Sequence, residues 1–205
     1  MKKTVLILLL LVSGLFAQRK TFFEGQIDNG GFGAPRIKVS SVRGNLGVLV
    51  GAYGGWLIDH KLLIGGGGYG LANNIKAQDD VQSVMNYKEQ PYVDFGYGGG
   101  VLEYYFNPDE LIHSSVSVLI GAGGVSYRSS HFDHNSSLGG WNDTHKGDVV
   151  FVLEPGIGGE INVAKYFKVG ASLSYRYVSG VDLYGMKNSD LSNFSAGIAL
   201  KFGVF

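Results

Sequence analysis

Cysteine is absent from the 205 residues and proline occurs only four times. The first absence excludes disulfides, thiolate metal centres and the lipid-bearing cysteine of a lipoprotein. The second, with 33 glycines set inside apolar segments, excludes a proline-rich linker or low-complexity tail. Seventeen basic residues balance seventeen acidic ones, so the basic excess of a nucleic-acid partner is missing. Helical periodicity is nearly absent after the first residues. The N-terminal apolar run falls well short of the roughly 20 residues a membrane-spanning helix needs.

That run has another reading. "MKKTVLILLLLVSGLFAQRK" places Lys2 and Lys3 before an apolar stretch from Val5 to Val12, then small residues leading to Ala17. This is the three-part pattern of a secretory signal, expected over residues 1–17 and cut after Ala17. The remaining 188 residues, carrying 15 basic and 17 acidic side chains, suit one domain. The expected division is a lead-in at residues 18–34 and a β-domain at residues 35–205.

What recurs along that domain is alternation with a period of two. In "YFKVGASLSYRYV", Phe167, Val169, Ala171, Leu173, Tyr175 and Tyr177 share one face, with Lys168, Gly170, Ser172, Ser174 and Arg176 on the other. Residues 148–163 and 194–204 repeat the pattern, and residues 35–42, 46–58, 61–71, 92–106 and 112–128 read as five further strands. A bulge is expected at the glycine runs Gly65–Gly68 and Gly98–Gly100. Apart from the first connection, short turns alternate with long loops at residues 72–91, 129–147 and 179–191. An up-and-down meander whose two ends face different surroundings has this form.

The polar face decides which side is inside. It consists mainly of Gly and Ser with isolated Glu, Lys and Arg, which suits the crowded interior of a narrow barrel better than a solvated exterior. The apolar face then points outward, and each segment reaches the roughly 9–11 residues a tilted strand needs to cross a bilayer. Trp56, Tyr104, Tyr105, Phe106, Tyr166, Phe167, Tyr175, Tyr177 and Phe202 sit near segment ends, as interfacial girdles require.

The signal, the eight alternating segments, the turn and loop pattern and the closing "SAGIALKFGVF" resemble the small outer-membrane β-barrels of Gram-negative bacteria, the OmpA/OmpX-like class. The resemblance covers nearly the whole mature chain. It implies an eight-stranded antiparallel up-and-down transmembrane β-barrel in the outer membrane, with both termini periplasmic and three long loops outside. It also implies contact with outer-membrane lipid and with the insertion machinery through the C-terminal strand, although Phe205 falls out of phase with the apolar alternation. The class ranges from inert anchors to enzymes, so no activity follows.

"LLIGGGGYGL" formally satisfies G-x-G-x-x-G through Gly65, Gly67 and Gly70. A dinucleotide turn needs a helix directly afterwards, and the polar "LANNIKAQDD" follows instead. Similar glycine-dense centres recur once per segment, a pattern of relieved crowding and not of one cofactor site. With residues 164–166 as a turn, Glu154 faces Arg176. An interior ion pair is expected there, with Glu160, Lys168 and Lys201 extending the network.

The loop "SSHFDHNSSLGGWNDTHKGD" gathers His131, Asp133, His134, Asp143, His145 and Asp148, without the spacing of a metal or hydrolytic site. His113 belongs to the short-turn end, away from the rim where a lipid-modifying enzyme would work. No cofactor, metal or nucleic acid is implied. The expected role is structural or surface-interacting, through loops that meet an external ligand. A narrow channel for small solutes or apolar molecules, a rim enzyme, and a soluble exported ligand-binding barrel are the alternatives.

Overall fold

The computed structural model describes residues 29–85, 87, 89–128 and 147–205. The expected signal, residues 18–28 of the expected lead-in, and His131, Asp133, His134, Asp143 and His145 of the long loop lie outside the described residues.

The elements in chain order are β1 (Asn29–Val42), β2 (Asn45–Ile58), β3 (Leu62–Leu71), a short β4 (Ile75–Lys76), α1 (Asp79–Val84), β5 (Tyr92–Phe106), β6 (Ile112–Arg128), β7 (Asp148–Ala164), β8 (Phe167–Ser179), α2 (Asn188–Leu191) and β9 (Asn193–Val204). Sequential neighbours around the ring pair antiparallel, β3 pairs with β5, and β1 pairs with β9. Eight strands therefore close into a barrel, and β4 is a two-residue annex on β5. Closure removes the free edges that an open sheet exposes.

The outward face is the apolar one. Phe194 is 74% exposed, Ile198 62% and Leu173 58%, while the residues alternating with them point inward. A water-soluble protein would bury such a belt; here it forms the lipid-facing wall. Trp56, Tyr104, Phe106, Tyr166, Tyr175, Tyr177 and Phe202 are exposed on that wall. Tyr105 is not; it is buried in the lumen, because β5 places odd-numbered residues inside.

Two expectations change. β1 starts at Asn29, so residues 29–34 belong to the barrel and not to a lead-in ending at residue 34. Gly30, Gly31 and Gly33 had concealed the alternation there. The glycine runs carry no bulge: Gly65 to Gly70 pair one for one with Val101 to Gly96. The ladder instead shifts between Asn162 and Ala164, where β7 approaches its turn.

The glycines differ in the room a side chain would find. A Cβ on the inward-facing Gly51, Gly65, Gly99 or Gly121 would collide with the carbonyl oxygen of Gly68, Gly54, Ile120 or Gly98. Outward-facing Gly70 has nothing within 4 Å of that position, and the nearest atom to Gly100 is at 4.0 Å. Crowding explains Gly51, Gly65, Gly99 and Gly121, and also the outward-facing Gly54, whose Cβ would meet the Phe32 carbonyl, but not Gly70 or Gly100.

Two tight turns show why the ends of β1 and β2 are sharp. Arg43 and Gly44 have φ of 52° and 74°, and Asp59 and His60 have 51° and 56°. Two consecutive positive φ values match the twist of the flanking strands, in the two-residue β1–β2 hairpin and in the three-residue β2–β3 connection alike.

Proline marks two weak places in the hydrogen-bond ladder. Pairing of β1 with β9 runs to Gly33↔Phe202 and resumes at Arg36↔Ala199, skipping Pro35. Pairing of β7 with β8 passes from Leu153↔Tyr177 to Gly156↔Ser174, skipping Pro155. Proline has no N–H to donate. Strands β8 and β9 are thus joined continuously to each other and with interruptions to the rest.

Candidate functional site

Narrowness builds the interior. An eight-stranded barrel leaves room only for side chains, so long polar residues from opposite walls meet near the axis. They form two clusters.

The cluster nearer the long loops centres on Glu154 of β7. Its Oε1 accepts hydrogen bonds from Lys38 Nζ at 2.8 Å and from Ser174 Oγ at 2.5 Å, and its Oε2 accepts one from the Tyr97 hydroxyl at 2.6 Å. Lys38 also stands 3.6 Å from the centre of the Tyr69 ring. Glu154 and Arg176 do occupy facing positions, bracketed by the pairs Leu153↔Tyr177 and Gly156↔Ser174. They do not form the expected ion pair.

Arg176, fully buried, turns toward the long loops instead. Its Nε donates to the Leu191 carbonyl at 2.8 Å and its Nη2 to Ser40 Oγ at 3.3 Å, with Phe95 and Tyr97 flanking the guanidinium. Lys38 reaches across the lumen and takes the carboxylate that Arg176 leaves.

The second cluster lies nearer the short turns. Lys201 of β9 pairs with Glu160 and, at 3.4 Å, with Glu103, and donates to the Tyr105 hydroxyl at 2.9 Å. Tyr105 and Ser115 donate to Glu103 at 2.7 and 2.9 Å. His113 Nε2 lies 3.4 Å from Glu160. Lys168 faces the same end, 4.4 Å from the centre of the Phe205 ring, and makes no ion pair among the described residues. Phe205 itself turns inward against Phe32, their ring centres 5.5 Å apart, as its position out of phase requires.

Of the five residues singled out in the sequence, Glu160 and Lys201 meet directly, while Glu154, Arg176 and Lys168 find other neighbours. Lys38, Glu103 and His113 were not identified as members of the network. A signal for Glu103 and His113 existed, since both are inward residues of alternating segments. The glycine run in β5 and the weak alternation at the start of β6 obscured it. Among the described residues no group of three or more His, Asp or Glu side chains is arranged to hold a metal ion.

Above the first cluster the barrel mouth is shut. The strands contribute Val42, Leu49, Phe95, Tyr127, Val152 and Val178, and the segments over the mouth contribute Ile75, Val81, Leu183, Met186 and Leu191, all buried. Tyr127 donates to the Tyr184 carbonyl at 2.8 Å, and Arg43 N–H to the Asp190 carbonyl at 2.8 Å. The Tyr184 hydroxyl donates to Asp80 at 3.0 Å. That hydrogen bond and the nearby negative charge push the Tyr184 phenol above its ordinary value. Two of the expected long loops thus supply an apolar lid.

The long-loop end therefore has a lid, the middle has a sealed polar core, and the outside has an apolar belt. No protein-family model matches the chain, and no curated protein sequence does. Solved structures do match. The crystal structure of Neisserial surface protein A superposes with a TM-score of 0.57 at 12% identity, covering 88% of this chain and 99% of that one. The N-terminal β-barrel domain of Pseudomonas aeruginosa OprF superposes with a TM-score of 0.51 at 13% identity, covering 87% and 99%. At such identities the likeness is one of architecture. The chain has the fold of the small eight-stranded outer-membrane β-barrels.

Proposed function

We propose that the chain is an outer-membrane surface protein whose closed barrel anchors three long loops toward an external ligand. The observation that carries this reading is the blocked interior: two hydrogen-bonded ion clusters beneath an apolar lid. A solute path needs a continuous polar opening, and the buried Leu49, Leu191 and Val178 stand across it. The outward belt supports contact with outer-membrane lipid. The outward Phe202, stacked on Phe167 with ring centres 4.9 Å apart, supports engagement of the insertion machinery through β9. The secretory signal read in residues 1–17 supports export.

The test is single-channel recording of the folded protein in planar bilayers, run beside membrane fractionation of the expressing cells. The expected result is recovery in the outer-membrane fraction with no unitary current. Sustained conductance from the wild-type protein would overturn the anchor reading in favour of a channel.

A further inference from the structure

Between the two ion clusters lies a central cavity of about 20 Å³, lined by Arg36, Lys38, Tyr53, Tyr69, Glu103 and Glu154 among others. That volume holds one water molecule or one ion of similar size.

The polar groups around it are unequally satisfied. Both carboxylates are hydrogen-bonded on each oxygen: Glu154 by Lys38, Ser174 and Tyr97, and Glu103 by Ser115, Tyr105 and Lys201. The donors are satisfied only in part. Arg36 Nη2 donates to the Tyr53 hydroxyl at 2.9 Å, and Tyr69 lines the same cavity. The Tyr53 phenol serves Arg36 as an acceptor. Among the described residues, no acceptor takes the proton of either hydroxyl. Arg36 Nε is buried without a partner, and Arg36 has no carboxylate within ion-pair distance among the described residues.

Charge points the same way. The buried charged groups of the lumen are Lys38, Lys168, Arg176 and Lys201 against Glu103, Glu154 and Glu160, and Arg36 adds a fifth cation. Two positive charges remain in excess in a low-dielectric interior, where an uncompensated charge is costly.

We propose that Arg36, Tyr53 and Tyr69 hold a single monovalent anion of halide size in this cavity. Arg36 Nε and the two phenolic O–H groups supply donors that lack acceptors among the described residues, and the anion offsets part of the excess charge. Gluconate and sulfate exceed the space.

The test compares thermal unfolding midpoints of the folded protein in detergent, read by the shift in gel migration, in sodium chloride, bromide and gluconate at equal ionic strength. Chloride and bromide should raise the midpoint over gluconate by roughly 2–4 °C or more, as expected for a ligand bound only by the native state. The Tyr53→Phe and Tyr69→Phe variants keep the packing and should lose that increment. Crystals grown in bromide should show an anomalous peak beside Arg36. Equal midpoints in all three salts, a halide increment unchanged in the phenylalanine variants, or a cavity occupied by water with no bromide signal would each overturn the proposal.

Discussion

Glu154 illustrates how a narrow lumen rearranges a pairing that strand register makes plausible. Cross-strand geometry places Arg176 beside it, yet a lysine from the opposite wall captures the carboxylate because the lumen is hardly wider than two side chains. A buried ion pair contributes little net stability while intact and leaves an uncompensated charge when halved. Glu154→Gln should therefore cost about 3–5 kcal/mol, and adding Lys38→Met should recover part of that loss, both read by urea unfolding in detergent. Equal losses in the single and double variants would show that the pair is not coupled. Arg176→Met should also destabilise, but by loosening the contact with the Leu191 carbonyl at the lid.

At the scale of the strand, open and crowded glycines make opposite predictions. Glycine weakens a strand by roughly 0.5–1 kcal/mol relative to alanine where a side chain can be accommodated. Gly70→Ala, with nothing within 4 Å of the new methyl, should stabilise the barrel by about that amount. Gly99→Ala, whose methyl would meet the Ile120 carbonyl, should destabilise it by more than 1 kcal/mol. Parallel heat-shift titrations distinguish the two.

The strands themselves were legible wherever large apolar and small polar residues alternate, as in β7, β8 and β9. Legibility fell where glycine replaces both kinds, so the start of β1 at Asn29 was missed and a bulge was expected in β3 that does not occur. The lid escaped because Val81, Leu183, Met186 and Leu191 are scattered singly among polar residues. Their burial depends on two loops converging over one mouth, a relation no local pattern carries. The identity of the lumen partners depends likewise on the barrel's diameter.

At the scale of the whole molecule, the apolar belt, the filled axis and the lid act together. The belt requires an amphiphilic environment, the ion clusters fix the strands around a common axis, and the lid keeps water from the upper cluster. The β8–β9 pair carries Arg176 and Lys201, one from each level of that axis. It therefore links the lid contact to the lower cluster.

That pair is also bounded on each side by a proline, and the barrel consequently has a built-in panel. Amide protons near Ala199 and Ser174 should exchange with deuterated buffer faster than those at Gly67 or Gly121, where the pairing runs unbroken. Mechanical or chemical stress should peel these two strands away as a unit before any other part of the wall yields.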